Sequence, residues 1–246
     1  MFFSFFILFG KDFCQYNPSI FRKNTYICSK IKCSNEHSNS HPRKKTMIQI
    51  QAATQEQASE IARLIMMAMT EECCLHFCGE GCGLREFEQM MTQLVGREDS
   101  QYSYKNTLVA MEGNLVAGIA TAYDGGQLHA LRRVFIEHAR KWLKKDHSAM
   151  DDETQAGELY LDSLAVLPAY RCQGIASRLL KATAAKALAM GIPQVGLLVD
   201  KGNPAGERLY VSNGFHYAND AQWGGHPMKH MVMTVNEEMQ DTNHCI

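Results

Sequence analysis

The fold is indicated most clearly by RCQGIASRLLKATAAKA, from Arg171 to Ala187. This stretch predicts a helix, and that helix begins beside residues with almost no side chain, Gly174 and Ala176. A helix N-terminus exposes unpaired N–H groups and the positive end of its dipole, which favours an anion. Small residues let a phosphate approach the backbone there, and Arg171 adds a positive charge. A tight loop that needs glycine for a positive φ explains the same pattern, so the stretch alone predicts only a candidate anion site.

The segments around this stretch predict a mixed α/β fold. Before it, ELYLDSLAVLP predicts a strand that stops at Pro168, and after it PQVGLLVD predicts a buried strand. Near the start, MIQIQAAT predicts a strand, residues 55–74 one long helix and residues 84–98 a shorter helix. A hairpin over residues 107–126, a helix at 128–146 with a basic outer face, a short helix after Asn203 and a closing hairpin complete the order. Strands that alternate with helices in the second half predict a mixed sheet covered by helices.

Three motifs in this order resemble the GNAT superfamily of N-acetyltransferases. The family's acyl-CoA loop, Gln/Arg-x-x-Gly-x-Gly/Ala, matches residues 171–176, and the family's preceding strand matches Leu164–Val166. The family's later Asn, Leu-Tyr and Gly-Phe positions fall on Asn203, Leu209-Tyr210 and Gly214-Phe215. The three motifs span about 60 residues, and the element order matches from Met47 to Val235. An inserted helix after the third strand and Gly206, where many relatives have Ala, depart from the common pattern.

The resemblance implies a central, mostly antiparallel sheet flanked by helices and splayed between its fourth and fifth strands. It also implies acetyl-CoA as cosubstrate and no metal. The pyrophosphate would lie on the amides of residues 172–177, the pantetheine along the strand edge, and a backbone N–H near Leu164 would act as an oxyanion-hole donor. The residues expected to bind the cofactor are Leu164, Ala165, Val166, Arg171, Cys172, Gln173, Gly174, Ile175, Ala176, Ser177, Asn203 and Tyr210.

The implied reaction moves an acetyl group to a primary amine by direct attack through a tetrahedral intermediate, so it needs a base for the amine's proton. Strict strand alternation puts Glu158, Tyr160, Asp162, Leu164 and Val166 on one face and leaves the other face as core. We favour Glu158 as the base and Asp162 second, with a water also open. Both carboxylates could equally be solvated edge residues or members of ion pairs, and the position that is most often acidic in histone-acetylating relatives falls on Tyr160.

Other site residues follow from the same resemblance. Tyr210 is the expected acid for the leaving thiolate, against the alternative of a tyrosine buried for packing. Asn203 would bond the cofactor or the splayed strand, or it is a plain helix cap, since Asn is a favoured N-cap. Tyr123 and Asp124 end the third strand where an amine could bind, and a hairpin-end turn is equally compatible.

The acceptor is predicted only as a small-molecule or peptide amine. A hydroxyl or a peptide N-terminus as acceptor is a weaker reading. The alternative from a different class is a catalytically inactive acyl-CoA-binding sensor or scaffold module. The oligomeric state stays open, a homodimer included.

The composition of the chain bears on its binding partners and on its compartment. The 246 residues are 46% hydrophobic and 21% charged with a net charge of −1, so no global field favours nucleic acid or an anionic membrane. Nine cysteines do not form a disulfide framework, because four crowd into residues 73–82 and three into the first 33. That cluster misses the usual zinc and iron–sulfur spacings, so it predicts free, buried thiols and a reducing, cytoplasmic compartment.

The predicted domain boundaries divide the chain into three parts. Residues 1–46 are expected to be a disordered or mis-started extension, with a weak export signal as the alternative. Residues 47–235 form one N-acetyltransferase domain with a helical insertion at about 127–157, and residues 236–246 are a tail. The insertion is predicted to present a solvated basic helix face rather than a partner site.

Overall fold

A seven-stranded sheet lies at the centre of residues 47–236, the part of the chain that the computed structural model describes. The predicted extension 1–46 and residues 237–246 of the predicted tail lie outside the described residues. The strands are β1 (Gln49–Ala52), β2 (Thr107–Glu112), β3 (Leu115–Asp124), β4 (Leu159–Val166), β5 (Gln194–Asp200), β6 (His216–Trp223) and β7 (His226–Thr234). The helices are α1 (Ala58–Met69), α2 (Glu71–Phe77), α3 (Leu84–Val95), α4 (Leu128–Trp142), α5 (Ile175–Ala189) and α6 (Pro204–Val211).

The sheet is mixed and mostly antiparallel, as the sequence predicts. Its strand order is β1-β2-β3-β4-β5-β7-β6, and β4 with β5 is the parallel pair. These two strands pair only through Leu159 with Val195 and Tyr160 with Gly196 before they diverge. The predicted splay between the fourth and fifth strands is therefore confirmed, and it leaves the second half of β4 with an open edge.

Helices cover both faces of the sheet. Helix α5 packs with Leu159, Leu161 and Leu164 of β4 in one buried cluster. Helices α1, α3 and α4 pack on the opposite face, where Ala165 belongs to the buried cluster. Within residues 47–236, no helix has both the length and the apolar character that crossing a bilayer requires.

A β-bulge interrupts β4. Thr121 of β3 pairs with Ser163, and the next residue, Ala122, pairs with Leu161, so Asp162 has no partner in the ladder. The prediction of strict alternation from Glu158 to Val166 is therefore wrong. The extra residue moves Leu164 to the α5 face, opposite to the face on which a regular strand would present it beside the carboxylates. Both faces of β4 are buried rather than one.

The bulge is accommodated by a lysine from α5. Lys186 Nζ donates hydrogen bonds to the carbonyls of Ala122 and Asn106, both at 3.0 Å. Burial lowers the pKa of Lys186 to about 8. This side chain connects the C-terminal part of β3, next to the bulge, to the C-terminal half of the helix that begins at the candidate site.

Two helix predictions need correction. The helix predicted over residues 55–74 breaks at Thr70, whose φ is 73° and whose side chain accepts a hydrogen bond from the Cys73 N–H at the start of α2. The predicted basic outer face of α4 is also wrong at Arg132, which is buried and paired with Asp152 and Glu153. Charged residues of one sign on a helix therefore did not all face solvent.

Candidate active site

The site begins where β4 and β5 separate, because backbone groups of β4 lose their strand partner there. Leu167 N–H donates to the carbonyl of Ala117 in β3, at 2.9 Å. Since N–H directions alternate along a strand, the N–H groups of Val166 and Leu164 point to the open edge. The carbonyl of Val166 also points there, and Arg171 Nε donates to it at 3.1 Å. The open edge therefore presents backbone donors and acceptors beside an arginine.

The loop before α5 has the backbone geometry of an anion site. Cys172 and Gly174 have positive φ angles of 59° and 74°, and Gly174 is the N-cap of α5. A Cβ added at Gly174 would meet no atom within 4 Å, so the space above this residue is open. Gly174 therefore supplies the left-handed conformation of the tight loop and leaves the helix N-terminus uncovered.

A cleft joins the open edge to this helix terminus. We call it the fork cleft. It is lined by Met67, Ala68, Leu164, Ala165, Val166, Tyr170, Arg171, Cys172, Gly174, Ile175, Ala176, Ser177 and Leu209. Nine of the twelve residues expected to bind the cofactor line it; Gln173 is exposed outside it, and Asn203 and Tyr210 do not line it. Met67 and Ala68 were missed, because nothing in a regular helical pattern marks them.

Tyr210 lies behind the fork cleft, next in sequence to Leu209 in its wall. Its side chain is fully buried and packs edge-on against Phe215. Its hydroxyl has no hydrogen-bond partner among the described residues. Burial raises the pKa of Tyr210, so the phenol is protonated at neutral pH and its hydroxyl can donate to an incoming acceptor.

Asn203 has the geometry of the plain helix cap. Its Oδ1 accepts a hydrogen bond from the Gly206 N–H at 2.9 Å, at the start of α6. A Cβ at Gly206 would lie 2.7 Å from Asn203 Nδ2. The glycine that departs from the family pattern therefore gives room to the amide that caps the helix.

A second cleft lies on the other face of β4, and we call it the aromatic cleft. It is lined by Gln101, Tyr102, Met150, Glu153, Tyr160, Asp162, Leu198, Trp223 and Met228. Two residues along β4, Leu164 lines the fork cleft, so the bulge at Asp162 lies between the two clefts. Of the nine lining residues, only Asp162 was a predicted site residue.

Asp162 has the electrostatics of a base. Burial raises the pKa of its carboxyl to about 6, although the Ser163 hydroxyl, which donates to Oδ2 at 2.7 Å, and the nearby Arg132 charge oppose the shift. At neutral pH the group is mostly ionised yet ready to accept a proton.

Glu158, the base preferred from the sequence, has a different environment from Asp162. It is fully buried, its Oε1 accepts a hydrogen bond from Thr154 Oγ1 at 2.6 Å, and its Oε2 lies 2.8 Å from His230 Nε2. It lines neither cleft. Its carboxylate occupies the space over Gly196, where an added Cβ would lie 2.1 Å from Oε2. The contacts of the Glu158 carboxylate therefore connect the start of β4 to Gly196 of β5 and to His230 of β7.

The structure does not bring Tyr123 and Asp124 to either cleft. Tyr123 is buried, packs against Tyr160 and donates from its hydroxyl to Glu153 Oε1 at 2.8 Å. Asp124 Oδ1 accepts from the Gly126 N–H at 2.9 Å, which is the turn-forming alternative. Tyr123 thus supports a wall of the aromatic cleft from behind.

The cysteine cluster separates into buried and partly exposed thiols. Cys73 and Cys74 are buried, and burial raises the pKa of Cys74 to about 12. Within residues 47–236, no group of three or more His, Cys, Asp and Glu side chains is arranged to hold a metal ion.

Comparison with known proteins agrees with this geometry. The model of the acetyltransferase (GNAT) family matches residues 80–215, more than half of the chain. A solved structure described as an acetyltransferase is 28% identical, with a TM-score of 0.66 over 76% of this chain and all of its own. An N-acetyltransferase from Staphylococcus aureus Mu50 has the same fold at 21% identity, with a TM-score of 0.62 over 75% of this chain and all of its own. The comparison with curated proteins returns no match.

The family match, the splayed sheet and the loop at the start of α5 lead to one conclusion: the chain belongs to the GNAT family and is an acyltransferase.

Proposed function

We propose that the protein is an acetyl-CoA-dependent N-acetyltransferase that moves an acetyl group to a primary amine of a small molecule or peptide by direct attack through a tetrahedral intermediate. The fork cleft carries the proposal, because it joins an open strand edge to an uncovered helix N-terminus. Tyr210, whose buried hydroxyl has no partner among residues 47–236, is next in sequence to Leu209 in the cleft wall. The strand edge fits the two amides of the pantetheine, the helix N-terminus fits the pyrophosphate, and the tyrosine fits the sulfur end of acetyl-CoA. Bound there, acetyl-CoA supplies an activated acyl thioester.

The residues that would hold the cosubstrate act mainly through their backbone. The amides of residues 172–177 would bind the pyrophosphate, and Arg171 would bring a positive charge while staying bonded to Val166. The N–H groups of Leu164 and Val166 would bond the pantetheine and the thioester carbonyl. Such donors count most when charge develops on the oxygen in the transition state.

Two side chains would move protons. Asp162 would take the proton of the attacking amine, directly or through a water, because its raised pKa of about 6 makes it a stronger base than an exposed aspartate. Tyr210 would donate its hydroxyl hydrogen toward the leaving sulfur, since burial keeps the phenol protonated. The two groups border the fork from opposite sides of β4.

The same proposal fixes the extent of the catalytic unit. We assign it to residues 47–235, with residues 127–157 as the inserted helix and loop. That insertion contributes Met150 and Glu153 to the aromatic cleft, so it would help to select the acceptor.

The experiment has two parts. Calorimetry with CoA tests the fork cleft directly, and thiol release from acetyl-CoA with a panel of amines, polyamines, amino acids and aminoglycosides tests turnover. We expect micromolar CoA binding and amine-dependent thiol release. CoA binding with no turnover on any amine would overturn N-acetyl transfer, and absence of CoA binding would overturn the whole assignment.

A further inference from the structure

The aromatic cleft contains a buried hydrogen-bond acceptor that the fold does not use. Gln101 is 2% exposed, and its Oε1 has no hydrogen-bond partner among residues 47–236. Buried side-chain oxygens are normally paired, since leaving one unsatisfied is costly. Gln101 lines the aromatic cleft, so a ligand that enters beside it and donates an N–H or O–H group would supply the partner that this buried oxygen lacks.

Aromatic rings form much of the wall around that acceptor. Tyr102, Tyr160 and Trp223 line the cleft and are each at least nine-tenths buried. The face of an aromatic ring attracts a cation, and the attraction is larger where water is excluded. Met150, Met228 and Leu198 complete an apolar lining that suits a compact hydrocarbon body.

The charges in the cleft are of one sign. Asp162 and Glu153 line it, and its lining includes no Lys, Arg or His. The nearest buried guanidinium belongs to Arg132, which lies behind Glu153 and is already paired with Glu153 and Asp152. A bound ammonium would meet the Asp162 carboxylate, an amide oxygen and rings, whereas a bound carboxylate would meet the like charge of Asp162 and no lining cation.

We propose that the aromatic cleft binds the acceptor as a primary ammonium, with Gln101 Oε1 as a specificity-determining acceptor, and that it selects compact amines that carry no carboxylate. This inference rests on the proposed function, because it names the class of amine that would receive the acetyl group. It predicts rejection of free α-amino acids in favour of the corresponding amines.

Matched ligands test the charge selection. Phenethylamine, phenylalaninamide and phenylalanine share the ring and the amine, and only phenylalanine carries a carboxylate. We expect kcat/KM for phenethylamine and for phenylalaninamide to exceed that for phenylalanine at least 10-fold. Equal or better use of phenylalanine would overturn the inference while leaving N-acetyl transfer intact.

Direct binding separates this inference from the proposed function. Calorimetry of the same three ligands on the full chain needs no acetyl-CoA and no turnover. Tighter binding of phenethylamine and phenylalaninamide than of phenylalanine supports the inference even if thiol release fails. In that case only the proposed function is overturned. Failure of all three ligands to bind overturns the inference.

A variant tests the role of Gln101. Gln101→Leu removes the oxygen at similar volume, and Gln93→Leu makes the same change on an exposed position of α3. We expect Gln101→Leu to raise KM for phenethylamine at least fivefold with CoA affinity unchanged, and Gln93→Leu to change neither. An unchanged KM in a folded Gln101→Leu protein overturns the assignment of Gln101, and the ligand comparison on the unaltered chain stands independently of either variant.

Discussion

The fork cleft and the aromatic cleft lie on either side of one strand, but different chemical groups line them. The fork cleft takes most of its wall from residues 164–177 and offers backbone groups at an open edge and a helix terminus. The aromatic cleft takes its wall from side chains of several distant segments, from Gln101 to Met228. A ligand common to a whole family can be bound by backbone, whereas selection among amines needs side chains that vary independently of the sheet.

The largest expected effect comes from the residue between the two clefts. Asp162→Asn should lower kcat by about 10²- to 10⁴-fold, the usual contribution of a general base. The same change should raise the melting temperature, because burial disfavours the charge that Asn removes. Steady-state kinetics and thermal unfolding check both. A variant with full activity would show that the aromatic cleft contributes no base.

The pH dependence of the unaltered protein sharpens this point. The groups that face Asp162 include Cys73, Tyr102, Tyr123 and Arg132. Asp162 itself has a pKa of about 6, so kcat/KM should fall as pH drops through about 6 and the carboxylate becomes protonated. Because the folded state holds this proton more tightly than the unfolded chain, ionisation of Asp162 should also lower the free energy of unfolding as pH rises through about 6. An acid limb that persists in Asp162→Asn would contradict the assignment.

A backbone change should affect only the fork cleft. Gly174→Ala places a side chain on a residue with φ of 74°, at the uncovered end of α5, and should weaken CoA binding about 10- to 100-fold. Gly113→Ala is the matched control, since Gly113 has φ of 58° in the β2–β3 turn and equally open surroundings. Both variants should lose similar stability in thermal unfolding, but CoA calorimetry should change for Gly174→Ala alone. Equal CoA affinity in both variants would mean that the α5 terminus is not the anion site.

Tyr210→Phe removes one oxygen behind the fork cleft. We expect kcat to fall at least about 10-fold, because the acid for the leaving sulfur is lost. The melting temperature should stay the same or rise slightly, since the hydroxyl has no partner among residues 47–236. Kinetics with saturating acetyl-CoA measure the first effect. If turnover is intact, Tyr210 serves packing only.

The smallest effect on activity is expected at Glu158. Glu158→Gln should lower stability by about 1–3 kcal/mol, because it disturbs a fully buried carboxylate held by Thr154 and His230. The value of kcat should stay within about threefold of the unaltered protein. A loss of 100-fold or more in a folded variant would restore Glu158 as the base and remove the contrast with Asp162.

The sequence predicted the parts of the molecule that depend on local rules. The loop at residues 171–177 and the splayed sheet could be predicted, because glycines, small residues and the order of elements can be recognised in the sequence. Asp162 was found only as second choice, because strand alternation ranked it with Glu158. One unpaired residue in β4 broke that alternation, and no letter in LYLDSLAV announces a bulge.

The aromatic cleft could not be predicted, for a different physical reason. Gln101, Tyr102, Glu153 and Trp223 meet only after the sheet has formed, and each is unremarkable within its own segment. Likewise, Arg132 looks like a solvent-facing helix residue until Glu153 is brought beside it. Contacts between distant segments depend on the tertiary fold rather than on local pattern.

The bulge in β4 also affects how relatives should be compared with this chain. A relative that lacks the extra residue would align letter for letter along the strand, yet its side chains after that point would occupy opposite sides of the sheet. Columns of an alignment would then mix residues that line the fork cleft with residues that line the aromatic cleft. Residues of such proteins are therefore better compared by their position in the structure than by their column in a sequence alignment.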